Sequence, residues 1–464
     1  MAIILSLDIG TSKLCAMTFC SERLKPLAVQ VQPNRSEVPG LEPGRHEQDA
    51  ARIREDSLAL LAAVSKEASS AGDVAGISIT GQMHGVLLVD CSLTPRANLM
   101  TWQDQRALQA GLDLKQVSEP FRAETGCGLH PGYGGATLAW LARHGALDRG
   151  LKAVTIADYL AAVLSGRIAT EPTHAASWGI YNLHTGRWQA SLITKLGIRP
   201  GVLPEIIPTL RAQGFVTDPY RRRLGLTGEV QVAATVGDNQ ASVLGALGFA
   251  DDAAVLNLGT GGQISIVRRQ AQTVPCMETR PMPFGRFILV GAALCGGWSY
   301  AYLMQFFRQT VRAFARVELA DQQVYATMNR LAAKAAQRPT APPQVDTRFA
   351  GTRGEPERRG RITGIDTTNL TPGHLALGFL HGMVRELSEM VPRPVLAEVR
   401  EIAASGNAAR ENPLVREAVE RQFGRACRIS GVHEEAVLGA ALGACVGLGF
   451  RSEKDIRFHQ ERAC

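Results

Sequence analysis

The chain has 464 residues, 45% of them apolar and 20% charged, with a formal net charge of +7; it is too long for one ordinary core, so two globular domains are expected. Its densest basic spots, Arg221-Arg222-Arg223 and Arg358-Arg359-Gly360-Arg361, have no interleaved aromatics, so they read as solvated surface and nucleic acid is not an expected partner. Nine scattered cysteines form no Cys-x-x-Cys pair, no apolar run reaches about 20 residues, and no basic segment precedes an apolar stretch at the start; disulfides, metal frameworks and a membrane span are disfavoured, and a cytoplasmic protein is expected.

Along the chain, short Ile-, Val- and Ala-rich runs alternate with helical stretches, which predicts an α/β architecture with covered sheets. Residues 3–7 predict a strand running into the turn Asp8-Ile9-Gly10-Thr11-Ser12-Lys13, and residues 14–19 predict its return. Strands follow at 75–80 and 86–89, flanking Gly81-Gln82-Met83-His84-Gly85, then helices at 136–144 and 156–164. Residues 231–236 predict a strand ending at Gly237-Asp238, where a helix over 239–247 begins. The polar break at Leu247 to Asp252 predicts the domain junction, dividing the chain into 1–248 and 249–464. The second half opens alike, with a strand at 253–258 and the turn Asn257-Leu258-Gly259-Thr260-Gly261-Gly262. Further strands are expected at 287–291 and 399–404, and helices at 298–317, 322–336, 374–391 and 434–446. The last helix is crowded with Gly and Ala, which predicts close helix packing. The Pro- and Arg-rich stretch 338–364 reads as an ordered irregular loop.

A polyphosphate needs converging backbone N–H groups, and glycine lets the main chain approach it closely. Gly10, Thr11 and Ser12 supply this in the first turn, and Gly259, Thr260 and Gly261 in the second. Lys13 could add positive charge, and Asp8 would bear on phosphate-bound Mg²⁺ through water. A single Gly-Thr hairpin is commonly just a tight turn; two at matching places point to a nucleotide clamp. Asp238 opens a predicted helix, where a carboxylate caps orphan N–H groups. It is also a candidate base, since the helix dipole keeps a carboxylate ionised to accept a hydroxyl proton in phosphoryl transfer. The two roles are compatible. Gln82, Met83 and His84, with Trp102 and Asp104 in Thr101-Trp102-Gln103-Asp104, mix amide, aromatic and charge as polyol recognition requires. Taken singly, His84 reads as a structural histidine and Trp102 as core.

These motifs, with Glu47-Gln48-Asp49, Trp140-Leu141, residues 364–382 and Ser405-Gly406-Asn407-Ala408, resemble the FGGY carbohydrate kinases over essentially the whole length. The resemblance implies two ribonuclease-H-like domains of the actin, hexokinase and chaperone ATPase type, with a catalytic cleft between them. ATP would lie mainly on the second domain and a small-molecule sugar mainly on the first. Asp238 would be the catalytic base, and Asp8 and Asp238 would face Mg²⁺. Gln82, Met83, His84, Asp104 and Asn239 would lie at the acceptor, while Gly296, Gly297, Gly406 and Asn407 would hold the adenosine. Thr101-Trp102-Gln103-Asp104, Gly135-Ala136-Thr137 and Ala175-Ala176-Ser177-Trp178-Gly179 incline the resemblance toward a kinase of sedoheptulose acting on its terminal primary hydroxyl. Xylulose or another ketose or polyol is the alternative acceptor, and a nucleotide-switched non-enzyme on the same fold is the alternative class. The arginine clusters leave a homodimer open. Two departures stand out: Lys13 lies two places from the family's basic residue, and the family's aromatic acceptor wall falls at Gly132, which has no bulk and would admit a longer polyol.

Overall fold

The computed structural model describes residues 2–68, 72–111, 113–259, 261–352, 355 and 357–456. The first sheet begins as an antiparallel meander of β1 (Ala2–Ile9), β2 (Lys13–Cys20) and β3 (Lys25–Pro33). Helix α1 (Ala50–Ala68) packs against it, and β4 (Asp73–Gly81) runs parallel to β1. After a long excursion that carries the loops expected at the acceptor, the chain adds β5 (Ala212–Phe215), β6 (Gln231–Ala233) and β7 (Val236–Gly237); β6 and β7 both pair in parallel with β4. The strand order is β3-β2-β1-β4-β6-β5. Within the excursion lie α2 (Gly134–Arg143) and α3 (Pro172–Ser177). β1 is buried along nearly its whole length because helices cover both faces of the sheet, which is why it reads as a continuous apolar run rather than an alternating one.

Helix α4 (Asp238–Leu247) leads to a second sheet built the same way. β8 (Ala253–Leu258) and β9 (Gly262–Arg268) form its hairpin, followed by β10 (Glu278–Met282) and β11 (Arg286–Ala293). Then come α5 (Gly297–Ala315), α6 (Pro372–Glu389), β12 (Glu401–Ser405), β13 (Ala426–Ile429) and α7 (Glu435–Gly447). Its order is β10-β11-β9-β8-β12-β13. Each sheet has an antiparallel set, β1-β2-β3 in the first and β8-β9-β11 in the second, extended from its first strand by two parallel strands, β4 and β6 or β12 and β13. The duplicated ribonuclease-H-like arrangement expected from the resemblance is present.

The two halves meet through α4 and α7. Helix α7 returns to the first sheet, where Ser6 Oγ donates to Val437 O (2.8 Å) and Ser78 Oγ to Ala440 O (2.9 Å). Helix α4 touches β8 and β12 of the second sheet. The helices cross so closely that a Cβ on Gly439 would lie 1.8 Å from Ala241 O, and one on Gly245 2.0 Å from Glu435 O. One buried cluster joins Ile4 and Phe19 of the first sheet with Val255, Ile288 and Ala403 of the second.

Most predicted boundaries fall within a few residues of expectation, while several elements, among them Leu114–Thr125, Pro413–Phe423, β3 and β10, were not predicted. Helix α1 has no counterpart among the predicted elements. The stretch 338–364 is more regular than a loop: Gln344–Asp346 pairs with Arg361–Thr363, and Asp346 binds Arg348 (3.2 Å) and Arg358 (2.9 Å). Among the described residues no helix is long and apolar enough to cross a membrane.

Candidate active site

Three parallel strands end side by side in the first half. Asp8 is the penultimate residue of β1, Gln82 directly follows β4, and Asp238 directly follows β7, with Ile9 and Gly237 both in register with Gly81. In the second half Gly259 follows β8 and Gly406 follows β12, aligned through Asn257 and Ser405. Both glycine turns and Asp238 therefore lie at the carboxyl ends of parallel strands, where open α/β sheets place ligands.

Asp238 is the first residue of α4, while Gly237 takes the cap position, so the expected N-cap role passes to its neighbour. Its Oδ1 accepts from the N–H of Asn239 at 2.7 Å. The helix start is expected to favour the ionised carboxylate, and the Asn239 N–H does act that way, yet the net shift is upward. Burial raises it, outweighing the Asn239 N–H and the nearby His174 and Arg280. Asp8 is 7% exposed and pushed up to about 8, by burial first and then by Asp238, with Lys13 opposing and Glu434 adding to the rise. Its Oδ1 has no hydrogen-bond partner. Two mutually repelling carboxylates with an orphaned buried oxygen suit a hydrated divalent cation, which takes one or two carboxylates and completes its shell with water and phosphate.

Behind Asp238 lies a support that sequence reasoning missed. The N–H of Gly237 donates to Thr173 Oγ1 at 2.7 Å, and that hydroxyl donates to Glu171. Glu171 is fully buried and also accepts from Thr209 Oγ1 (2.5 Å) and the N–H of His174 (2.8 Å). The His174 ring is fully buried with neither nitrogen hydrogen-bonded. Only the Glu171-Pro172-Thr173 helix start hinted at this group, and it reads as an ordinary cap.

Of the residues expected at the acceptor, the structure brings Gln82 and Trp102 together, with Thr11 between them. Trp102 Nε1 donates to Thr11 Oγ1 (3.0 Å), which donates to Gln82 Oε1 (3.3 Å), and Gln82 Nε2 donates to Gln48 Oε1 (2.8 Å). Trp102 is 46% exposed, so it is a wall and not core. The Thr11 side chain, expected on phosphate, is engaged by Trp102 and Gln82. His84 adopts φ +73°, and its Nδ1 lies 2.7 Å from Ser177 O. Met83 packs its sulfur against Gly237, where a Cβ would lie 2.7 Å away. Asn239 Oδ1 accepts from Gln263 Nε2 and Ser265 Oγ, both on the second half, and its buried Nδ2 has no partner.

Two expectations are corrected. Asp104, placed among the acceptor contacts, is 1% exposed, and its oxygens accept from the N–H groups of Arg106 and His46 and from the Arg106 guanidinium at 2.8–2.9 Å. It anchors the loop from beneath. Gly132 does not open space: its φ is +79°, and a Cβ there would meet Trp102 O at 2.1 Å, so glycine serves the approach of two backbones. Aromatic bulk stands one residue on, at Tyr133, which stacks on His84 with centroids 4.2 Å apart.

In the first turn Gly10 N donates to Lys13 O (3.0 Å) and Ser12 is exposed. Lys13 Nζ pairs with Glu434 at 2.6 Å, so its charge is matched from across the halves. In the second half Gly297 N donates to Gly259 O (2.8 Å), and a Cβ on Gly296 would lie 2.2 Å from the Gly261 carbonyl carbon. Gly406, at φ +90°, would place a Cβ 2.7 Å from Leu258 O. Gly259, Gly261, Gly296, Gly297 and Gly406 therefore form one cluster of bare backbone. Asn407 opens the short helix Asn407–Glu411 next to it, though its side chain lies outside the described residues, as does Thr260.

Fold and site together define a two-lobed α/β protein with a glycine cluster at the strand ends of the second half and a pair of interacting carboxyls, Asp8 and Asp238, at the strand ends of the first. The sequence matches the N-terminal domain of the FGGY family of carbohydrate kinases over residues 3–245 and its C-terminal domain over residues 254–448. The chain belongs to that family. Human (Homo sapiens) sedoheptulokinase is 30% identical over 429 residues, covering 86% of this chain and 86% of its own length. Xylulose kinase from Lactobacillus acidophilus, solved with a bound ligand, superimposes with a TM-score of 0.84 at 21% identity, over 99% of this chain and 92% of that one. Plasmodium falciparum glycerol kinase, solved with ADP, superimposes with a TM-score of 0.81 at 17% identity, over 99% and 92%.

Proposed function

We propose that this protein transfers the γ-phosphoryl group of ATP to the terminal primary hydroxyl of a ketose, and that the ketose is sedoheptulose, giving sedoheptulose 7-phosphate. The observation that carries the reading is the position of Asp238, at the carboxyl end of β7 and close enough to Asp8 for the two carboxyls to repel each other. The Thr173 hydroxyl holds the Gly237 N–H, which fixes the main chain carrying the base, and Asn239 N holds Oδ1. Oδ2 then takes the hydroxyl proton as the acceptor oxygen bonds to phosphorus and the bond to the β–γ bridging oxygen breaks. A carboxyl raised by burial is a better proton acceptor than an exposed one, because general bases work best with a pKa nearer the working pH. Asp8 and Asp238 would hold Mg²⁺, which supplies charge neutralisation on the triphosphate. The glycines of both turns let backbone N–H groups reach the phosphates without side-chain obstruction.

The kinship with human sedoheptulokinase supports the seven-carbon acceptor, and the ADP carried by a structural relative supports the nucleotide. Xylulose is the second reading, favoured by the fold match to a xylulose kinase. We place the division of the chain at 248/249, with acceptor and base before it and the nucleotide after it. The test is a panel of ketoses and polyols with ATP and Mg²⁺. Sedoheptulose should give the highest kcat/KM, and Asp238→Asn should lose about 10²- to 10⁴-fold in kcat while retaining nucleotide. ATP turnover indifferent to every sugar would overturn the reading.

A further inference from the structure

Strand β10 belongs to the second sheet but crosses to the acceptor side of the first half. Pro281 O accepts from Gln240 Nε2 at 3.0 Å, two residues past Asp238, and β10 packs on α3. Glu278 accepts from the Tyr133 hydroxyl at 3.1 Å, and Tyr133 stacks on His84. Arg280, between them on the strand, is 8% exposed and holds Glu278 at 2.7 Å. These contacts run from Gly237 and Met83 through His84, Tyr133, Glu278, Arg280 and Pro281 back to α4 at Gln240.

We propose that Glu278 and Arg280 are specificity-determining residues that line the acceptor pocket and select an uncharged polyhydroxylated substrate over a sugar acid. A guanidinium offers several donors in a fixed fork and a carboxylate offers acceptors only, so the pair can satisfy neighbouring hydroxyls that each donate and accept. The pair is close to neutral as a unit. An acceptor bearing a carboxylate would face Asp8, Asp238 and Glu278 with one buried guanidinium already matched, and that repulsion discriminates as strongly as any favourable contact. The effect of Arg280 on the Asp238 carboxyl agrees with its place in this run of contacts.

This rests on the kinase reading, so binding and turnover are measured separately. Calorimetry with sedoheptulose, xylulose and gluconate, on wild type, Glu278→Gln and Arg280→Gln, gives the binding arm; melting temperatures report folding. Wild type should bind a ketose more tightly than gluconate. Arg280→Gln should weaken ketose binding about 10- to 100-fold, the loss of one or two hydrogen bonds from a charged donor. Glu278→Gln, which keeps shape and uncovers the Arg280 charge, should shift the ketose-to-gluconate affinity ratio about tenfold toward gluconate. A ratio unchanged in Glu278→Gln, equal wild-type affinity for ketose and gluconate, or no sugar bound at all would each overturn the proposal. Ketose bound with the expected variant pattern but never phosphorylated would retain the proposal and remove the kinase reading.

Discussion

Replacing Gly439 by Ala puts a methyl carbon 1.8 Å from Ala241 O and 2.6 Å from Gly245 N, where ordinary contact begins near 3.4 Å. Helices α4 and α7 must then separate by roughly 1.6 Å, the difference between 3.4 and 1.8 Å. Neither can move freely. Helix α7 is tied to the first sheet by Ser6 and Ser78, and α4 is held at Gly237 by Thr173 and at Gln240 by Pro281. The substitution gains about 1 kcal/mol in helix propensity, but forcing a packed crossing apart loses about 1–3 kcal/mol or more, and the strained ties add to that. A net destabilisation of about 2 kcal/mol is expected, with a fall in kcat because Asp238 rides on α4. Thermal and urea unfolding beside Gly201→Ala, whose Cβ meets nothing within 4 Å, is the measurement. If Gly439→Ala melts with wild type or above it, the close crossing is not what joins the halves.

Three further outcomes are expected. Asp8 rises from 3.8 to about 8 in the fold, so its stability contribution is full below pH 4 and erodes as pH climbs toward 8. Asp8→Asn should therefore gain on wild type across that window by a few kcal/mol at most; urea midpoints from pH 4 to 9 with chelator present check this, and a pH-independent difference would count against it. Thr173→Val leaves the Gly237 N–H unpaired and Glu171 short of a donor, which should cost about 1–3 kcal/mol of stability and lower kcat with little change in the KM for ATP. Thr173→Ser should restore both, and a Thr173→Val enzyme with wild-type kcat would refute the support role. Trp102→Ala should raise the acceptor KM while the melting temperature barely moves, since the ring is 46% exposed; a large melting shift would return Trp102 to the core.

The sheets and turns were legible because their signals are local. Apolar runs, glycine turns and the Gly237-Asp238 break each occupy fewer than ten consecutive residues, and sheet register then carried Asp8, Gln82 and Asp238 to one edge. What stayed hidden depends on partners distant in the chain. Thr173 meets Gly237 64 residues away, Tyr133 meets Glu278 145 away, and Lys13 meets Glu434 421 away. Residue type also misled where burial decides: Asp104 and Trp102 share one tetrapeptide, yet the polar one is buried as an anchor and the apolar one is exposed as a wall. Helix α1 escaped notice because its charged residues interrupt the apolar pattern, although tertiary packing on the sheet supports it.

The proposed division at 248/249 assigns the acceptor mainly to the first half and the nucleotide mainly to the second, and side chains cross it. Gln263 and Ser265 reach Asn239 from β9, the strand that begins where the Gly259 turn ends, while Glu278 and Arg280 reach across from β10. Conversely, the Thr11 hydroxyl of the first turn holds Trp102 and Gln82. Each glycine turn is thus continuous with groups on the acceptor side. On the proposed reading, ordering a turn around phosphate would restrain the side chains that meet the sugar, and a bound sugar would restrain the turn. Binding energy from either ligand can therefore align the other before phosphorus and oxygen meet, which is where a phosphoryl-transfer enzyme gains most of its rate.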